Sequence, residues 1–167
     1  MGKLIIVSKV CGIHTVLYDD KDENIIKAYT WYLCRGKSFN GLIVCAKVPG
    51  VHRTIFLHRV ILSPPDGYFV DHINMNRLDN RRCNLRIATK AQNSYNRPAR
   101  RDNTSGYKGV WFRSNVKNKC WIAEIRINGK KIHIGTYQTK EEAALAYNEA
   151  AKKYHGEFAR LNDVRPK

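Results

Sequence analysis

The sequence predicts an α+β protein built from two small units, each of which combines antiparallel strands with one helix. Three observations lead to this prediction. In residues 51–97, short β-branched segments separated by turn residues lead to a helix-start signal at Thr89. A polar and basic stretch without a large apolar side chain, residues 98–106, follows as a linker. Residues 107–163 then repeat the order of strands and helix around an Asn-Gly hairpin signal.

The composition is that of a folded, strongly basic protein. Hydrophobic residues make up 43% of the 167 residues, which is enough to form cores and excludes a disordered chain. The chain has 30 Lys and Arg residues against 14 Asp and Glu residues, so its net charge is +16, and the excess is spread along the chain. Since a folded protein with this charge usually binds a polyanion, we expect a nucleic acid as the partner.

The cysteines and the apolar runs indicate where the protein acts. No pair among Cys11, Cys34, Cys45, Cys83 and Cys120 has CxxC spacing, so we expect neither a disulfide framework nor a structural zinc site, and a reducing compartment. The first apolar run is too short for a signal peptide, and no run reaches the length of a membrane span. We therefore expect no membrane partner and a cytoplasmic protein, or a nuclear one in a eukaryotic host.

The first 50 residues predict a β-rich segment whose role is open. Residues 4–7 and 42–48 have the pattern of short strands. Residues 19–33 have apolar positions at helical spacing, although the aromatic part of this stretch, residues 29–32, suits a strand equally well.

The next unit has the order strand, turn, strand, loop, helix. Its predicted elements are a strand over 53–62, a turn over 64–67, a strand over 68–70, a loop over 76–84 and a helix between Thr89 and Pro98. Thr89 with Gln92 forms a capping-box pattern, and Pro98 cannot continue a helix. The second strand delivers Asp71 and His72 at its end.

The C-terminal unit predicts a three-stranded antiparallel sheet packed on one helix. Its elements are strands over 107–112, 120–127 and 130–137 and a helix over 141–154. Asn128-Gly129 is a strong hairpin signal, Thr139 with Glu142 forms a second capping box, and Gly156 closes the helix. Small side chains on the helix, which would let it lie close to the sheet, occur at Ala143, Ala146 and Ala150.

Asp71, His72, Asn84 and Asn93 are of the residue types that phosphodiester cleavage needs. A histidine, with an ordinary pKa of about 6.5, is a suitable base near neutral pH. A hard divalent ion takes oxygen ligands; Asp71 offers a charged oxygen, and Asn93 a neutral one about one turn into the helix. Because neighbouring strand residues point to opposite faces, we expect a loop or bend at Asp71-His72 that lets both serve one site.

The stretch from His58 to Arg97 resembles the ββα-metal fold of the HNH nuclease family, in the versions found in phage and intron-encoded homing endonucleases. The matching segments are His58-Arg59, Val70-Asp71-His72-Ile73-Asn74, Leu78-Asp79-Asn80-Arg81-Arg82, Asn84-Leu85-Arg86 and Gln92-Asn93.

The resemblance implies a role for each matched residue. His72 would be the general base, Asn84 would hold the loop that aims it, and Asp71 and Asn93 would bind Mg²⁺ or Mn²⁺. Many family members have histidine in place of Asn93, and Asn96 lies on nearly the same helix face, so either asparagine is a candidate for the second ligand. Candidates to hold phosphates, against the alternative of solvated loop charge, are Arg59, Arg81, Arg82 and Arg86.

Residues 105–162 resemble the Apetala/ethylene-response-factor DNA-binding domain of plants. The matching segments are Tyr107-Lys108-Gly109-Val110, Trp121-Ile122-Ala123-Glu124-Ile125, Gly135-Thr136-Tyr137, Glu141-Glu142-Ala143-Ala144, Ala146-Tyr147 and Ala159-Arg160-Leu161-Asn162. The resemblance implies a sheet that lies in the major groove of double-stranded DNA. The candidate DNA contacts are Lys108, Trp111, Arg113, Arg126, Lys131 and His133. Plant members have arginine-rich and tryptophan-containing strands here, so their base preference does not transfer.

Together the two resemblances predict a DNA endonuclease of the homing type. The C-terminal sheet would bind a site while Arg97, Arg100 and Arg101 track the backbone, which raises the concentration of DNA at the nuclease. With one active site per chain, a monomeric nickase is preferred over a dimer that cuts both strands. Alternatives are a DNA-binding transcriptional regulator with an inactive nuclease module, an RNA-binding protein and a nucleoid protein. The presence of all four site residues favours the nuclease over the regulator.

Overall fold

The computed structural model describes residues 1–35, 41–50, 52–114 and 120–164. The chain divides into two compact units, Met1–Thr89 and Lys90–Lys167, which are described separately below. Among the described residues, no helix has the length and apolar character needed to cross a membrane.

The described residues of the first unit form three small antiparallel sheets and two short α-helices. In chain order its elements are β1 (Gly2–Ser8), β2 (Gly12–Tyr18), α1 (Glu23–Lys27), β3 (Trp31–Arg35), β4 (Leu42–Lys47), β5 (Thr54–Phe56), α2 (Leu57–Leu62), β6 (Phe69–His72) and β7 (Leu85–Ala88). Strands β1 and β2 form a hairpin, β3, β4 and β5 form a sheet in that order, and β6 pairs with β7.

One hydrophobic core joins the N-terminal segment to the segment that resembles a nuclease. Val16, Tyr18 and Trp31 from the first part are buried in the same cluster as Leu57 and Leu85 from the second. Because these side chains share one core, residues 1–50 and the nuclease-like segment form one folded unit.

The predicted strand over residues 53–62 is wrong for most of its length. Only Thr54–Phe56 are extended, and Leu57–Leu62 form α2. Leu57 and Ile61, one turn apart on the helix, are almost fully buried. Burial in this segment therefore follows the spacing of a helix and not the alternation of a strand. Ser63 ends the helix in the left-handed conformation.

The antiparallel strand pair of the nuclease-like segment therefore differs from the expected one. It consists of β6 and β7, with Asp71 opposite Arg86 and His72 opposite Leu85. The four-residue strand β7 was not foreseen. Earlier in the chain, residues 19–33 divide between the two possibilities, because the five-residue helix α1 is followed by strand β3.

Cys34 and Cys45 form a disulfide, so the expectation of no disulfide is wrong. The two residues lie on β3 and β4, which are paired strands of one sheet. Spacing along the sequence does not reveal this proximity, because it depends on the register between the strands. Of the described cysteines, Cys11, Cys83 and Cys120 are free.

The second unit confirms the predicted sheet backed by one helix. Its elements are α3 (Lys90–Tyr95), β8 (Val110–Arg113), β9 (Cys120–Ile127), β10 (Lys130–Tyr137) and α4 (Lys140–His155). Strand β9 lies between β8 and β10. Asn128 and Gly129 adopt positive φ values of 49° and 84° in the hairpin turn, and Thr139 with Glu142 forms the capping box at the start of α4.

Helix α4 packs closely on the sheet. Ala143, Ala144 and Ala151 are fully buried against it. Of the predicted contact alanines, Ala143 is confirmed, and Ala150 is partly buried and packs against the cluster of Ile125 and Tyr147, whereas Ala146 is partly exposed. A Cβ atom on Gly109 would lie 2.2 Å from the ring of Tyr147. The positive φ of Gly109 and this close approach both require glycine at the start of the sheet.

Candidate functional site

Strand β6 places Asp71 and His72 in the interior of the first unit. Both residues are only 6% exposed. The predicted loop or bend between them is absent, because both belong to the regular pairing of β6 with β7. Asp71 is paired with Arg86, and His72 contacts His58 and Asn80.

Asp71 is held by a cation. Arg86 donates from Nε and from Nη2 to Oδ2 of Asp71, at 2.9 and 2.8 Å, and both side chains are buried. The charge-assisted bonds orient the carboxylate within the unit. Arg86, a candidate to hold phosphate, is therefore bonded to Asp71, the predicted metal ligand. A contact between Arg86 and DNA stays a prediction.

His72 is positioned by a side-chain amide and a second imidazole. Its Nε2 lies 3.4 Å from Oδ1 of Asn80, and its ring centroid lies 5.2 Å from that of His58 at an interplanar angle of 64°. Burial is the main cause that lowers the pKa of His72, while the bond to Asn80 and the charge of Asp71 act in the opposite direction. A lowered pKa keeps this imidazole neutral near pH 7, which is the form able to accept a proton.

Asn80 and His58 also belong to the site, because both contact His72; the sequence did not indicate a role for them. Asn80 is fully buried; its backbone N–H donates to the Leu17 carbonyl at 2.7 Å, and its Nδ2 donates to the Arg77 carbonyl at 3.2 Å. Burial, together with the neighbouring imidazole of His72 and the cations Arg59 and Arg77, lowers the pKa of His58 to about 3. Both residues occur in segments that carry the family resemblance, but only the structure shows that they contact His72.

Asn84 ties together the loop between β6 and β7. Its Oδ1 accepts a hydrogen bond from the Asn74 N–H at 2.9 Å, and its Nδ2 donates to the Asp79 carbonyl at 2.8 Å. These are contacts of the kind that the loop-holding role requires. The role of Asn84 in aiming the base stays a prediction.

The N-terminal segment also holds this loop. Leu17 donates its N–H to the Leu78 carbonyl at 2.8 Å. The guanidinium of Arg82 contacts the buried carboxylate of Asp22, with a shortest distance of 2.7 Å, and the backbone N–H of Arg82 donates to Asp19 Oδ2, also at 2.7 Å. Residues of the N-terminal segment, whose role the sequence left open, therefore hold the loop that carries Asn80 and Asn84.

The arginines proposed to hold phosphate are engaged within the protein. Arg81 contacts both carboxylate oxygens of Asp79 at 2.7 Å, and the bond lowers the pKa of Asp79. Arg59 donates to the Tyr68 carbonyl at 2.9 Å. Because Arg81 and Arg82 retain about a third of their side-chain exposure, an additional phosphate contact stays a prediction for both.

The candidate second metal ligands lie in the second unit. Asn93 is part of α3 and is partly exposed, and Asn96 follows the helix and is buried. Their metal-binding role stays a prediction. Among the described residues, no group of three or more His, Cys, Asp and Glu side chains could hold a metal ion. A metal here would therefore depend on Asp71, on neutral oxygens and on ligands from outside the protein.

The outer face of the C-terminal sheet carries five of the six DNA contacts that the plant-domain resemblance predicts. Trp111 and Arg113 alternate on β8 with the buried Val110, and the guanidinium of Arg113 lies 5.6 Å from the Trp111 ring centroid. On the other two strands, Arg126 is opposite Lys131 and His133 is opposite Glu124. Lys131 also lies 3.6 Å from Glu124, so one acidic group is part of this basic face.

Lys108 is placed differently from the other candidates. Its ammonium group donates to the carbonyls of Tyr95 and Arg97, and burial lowers its pKa to about 8. The same unit contains a groove of about 840 Å³ whose lining includes the basic residues Lys90, Arg97, Arg100, Lys108, Arg126 and Lys131. Arg101 is exposed beside this segment. DNA contacts by all of these residues stay predictions.

Two protein families match separate parts of the chain: residues 50–95 match the family described as HNH endonuclease, and residues 105–157 match the AP2 domain. A protein of Acanthamoeba polyphaga mimivirus described as an uncharacterized HNH endonuclease is 34% identical over 140 residues, which cover 84% of this chain and 70% of that protein. Protein 3.8 of Escherichia phage T7 is 34% identical over 97 residues, 58% of this chain and 78% of the relative.

The C-terminal part matches plant proteins. Dehydration-responsive element-binding protein 2D of Arabidopsis thaliana is 48% identical over 64 residues, which are 36% of this chain and 30% of that protein. No solved structure matches the chain. The buried Asp-His pair, the loop tied by Asn84 and the two family matches lead to one conclusion: the chain belongs to the HNH endonuclease family and carries an AP2 DNA-binding domain.

Proposed function

We propose that this protein is a metal-dependent DNA endonuclease in which His72 is the general base. The observation that carries the proposal is the environment of His72, a buried imidazole that is held by Asn80 and His58 and whose sequence neighbour in β6, Asp71, is also buried. A structural histidine needs no adjacent carboxylate, whereas a hydrolytic site needs a base and a cation ligand together.

The network around His72 selects the nitrogen that accepts the proton. The amide of Asn80 donates through Nδ2 to the Arg77 carbonyl, so its Oδ1 is the acceptor toward His72. We therefore assign the imidazole proton to Nε2 of His72, which leaves the lone pair on Nδ1. In this assignment Nδ1 takes the proton of the attacking water, and Asn80 orients the positively charged imidazolium that results.

The donor chemistry at Asp71 fits a divalent cation. Asp71 offers a charged oxygen, and a hard ion needs only one or two protein oxygens when phosphate and water supply the rest; the ion would share this carboxylate with the Arg86 guanidinium. Asp71 would hold Mg²⁺ or Mn²⁺, with Asn93 or Asn96 as the second ligand. When bound, the ion supplies charge stabilisation for the leaving oxygen of the cleaved phosphodiester.

The AP2 domain would bring duplex DNA to this site. Trp111, Arg113, Arg126, Lys131 and His133 would contact the major groove through the outer face of the sheet, while Arg97, Arg100 and Arg101 follow the backbone. We propose a homing-type enzyme that acts as a monomer and nicks one strand.

The test is cleavage of supercoiled plasmid by the purified full chain with Mg²⁺ or Mn²⁺. We expect nicked product that disappears with EDTA and in His72→Ala, and that persists in the control His52→Ala, which removes an exposed histidine. Tight DNA binding without cutting under either metal would contradict the proposal and favour a DNA-binding transcriptional regulator with an inactive nuclease module. Linear product formed without a nicked intermediate would contradict monomeric nicking.

A further inference from the structure

Helix α3 is built into the AP2-containing unit, although the HNH endonuclease family match extends to residue 95 and includes it. The ring of Tyr95, at the end of α3, stacks on the ring of His155 at the end of α4, with centroids 3.7 Å apart and an interplanar angle of 9°. Both residues are buried. His155 is fixed in turn, because its Nε2 lies 2.9 Å from the Arg126 carbonyl of β9.

The hydroxyl of Tyr95 binds the hairpin of the sheet. It accepts a hydrogen bond from the Asn128 N–H at 3.1 Å and lies 3.4 Å from Asn128 Oδ1 as a donor. Asn128 is the first residue of the turn between β9 and β10, whose outer faces carry Arg126 and Lys131. The end of α3 is therefore bonded to the sheet that would bind DNA.

A third contact closes the C-terminal end of α3. Lys108 directs its ammonium group onto the carbonyls of Tyr95 and Arg97, where the helix leaves backbone acceptors without intrahelical partners. A helix of six residues does not persist alone in water, so its order depends on such packing. Aromatic stacking, a hydroxyl bond and a cation thus fasten one short helix to the AP2 unit.

We propose that the AP2 unit does more than bind DNA: it holds in place helix α3, which carries the candidate metal ligand Asn93. Tyr95, His155, Asn128 and Lys108 act as positioning residues through α3, which presents the candidate metal ligand Asn93. This inference rests on the proposed function, since it takes Asn93 as a ligand. It predicts that disturbing contacts of α3 that involve neither Asp71 nor His72 impairs metal binding and turnover while duplex binding is retained.

The test uses the full chain with Tyr95→Ala and His155→Ala, the milder variants Tyr95→Phe and His155→Phe, and the control Tyr154→Ala. Tyr154 is next to His155 on α4, but it is exposed and lies outside the α3 contacts. We expect hydrogen exchange of the amides of residues 90–95 to be at least about tenfold faster in the alanine variants. The phenylalanine variants keep the stacked ring but lose the Tyr95 hydroxyl bond or the His155 bond to Arg126, so they should lie between the wild type and the alanine variants.

Two further measurements separate positioning from general damage. We expect the Kd for Mn²⁺, measured by electron paramagnetic resonance, to rise about tenfold and kcat for nicking to fall by a similar factor in the alanine variants, while the Kd for duplex DNA stays within about twofold. An unchanged duplex affinity also shows that the AP2 unit remains folded.

The outcomes distinguish the two proposals. Unchanged exchange in residues 90–95, or faster exchange with unchanged Mn²⁺ affinity, would overturn the positioning role while the nuclease proposal stands. A wild-type protein that binds no Mn²⁺ and cuts no DNA would overturn the nuclease proposal, and the positioning role with it, whatever the exchange rates. Loss of duplex binding in parallel with Mn²⁺ binding would show that the residues only stabilise the unit.

Discussion

At the scale of single residues, the site is organised around an imidazole that the protein keeps uncharged. Burial lowers the pKa of His72, and the neighbouring His58, with its pKa lowered to about 3, adds a neutral ring. A base that forms a cation during the reaction needs an acceptor that is already oriented, because reorganisation in a buried site is costly. Oδ1 of Asn80 supplies this acceptor.

We therefore expect Asn80→Ala to reduce turnover more than substrate binding. The variant loses the acceptor at Nε2 of His72, so kcat for nicking should fall about ten- to a hundredfold while KM for DNA changes little. Asn80→Asp keeps an oxygen at this position and should retain more activity. The measurement is steady-state nicking of supercoiled plasmid, with Asn24→Ala as the control at an exposed asparagine. Equal losses in the alanine and aspartate variants would contradict an acceptor role.

A second prediction concerns the ion pair between Asp71 and Arg86. Arg86→Gln removes the cation that lies on a buried carboxylate, so the free energy of unfolding in EDTA should fall by about 3 kcal/mol. A divalent ion at Asp71 would replace part of the lost charge. Mg²⁺ should therefore raise the melting temperature of Arg86→Gln more than that of the wild type. Equal Mg²⁺ effects in calorimetry of the two proteins would argue against a metal ligand at Asp71.

At the scale of elements, the sequence predicted the C-terminal unit better than the N-terminal one. Strands β9 and β10 and the capping box of α4 depend on local signals, namely alternation, Asn-Gly and Thr-x-x-Glu, and they are confirmed. By contrast, α2 and β7 depend on tertiary burial, because six-residue and four-residue apolar segments are ambiguous by periodicity. Asp71 and His72 were found through a motif, whereas the contacts of His58 and Asn80 follow from the packing of distant segments.

The N-terminal support of the loop gives a prediction at this scale. Asp22 is 2% exposed and accepts from both Nε and Nη2 of Arg82. Asp22→Asn should therefore lower the free energy of unfolding by roughly 2 kcal/mol and reduce nicking, because the loop with Asn80 and Asn84 loses its attachment. Asp20→Asn removes the same charge at a largely exposed site and is the matched control. Similar urea midpoints for both variants would show that the support contributes little.

At the scale of the whole molecule, charge and burial have separate roles. The excess of +16 is concentrated in no single tail, and six described cations of the second unit line its groove. Buried histidines occur in both units, His58 and His72 in the first and His155 in the second, and burial lowers the pKa of each. Stability toward acid is therefore a property of the entire chain.

The last prediction is that the protein loses stability as the pH falls below about 6.5. A histidine whose pKa is lower in the folded state binds fewer protons there than in the unfolded chain, so protonation favours unfolding. For His58, with a pKa of about 3 against the usual 6.5, the loss is about 1.4 kcal/mol for each pH unit between these two values. His58→Phe keeps a buried ring without this titration, and urea unfolding from pH 8 to pH 4 should show a shallower decline than in the wild type. The free energies of unfolding at pH 8 are the reference for each protein. At that pH His58 is unprotonated, so any difference between the two proteins reports only how well the phenylalanine ring packs. Parallel declines for the two proteins would mean that His58 is not the group through which acid acts.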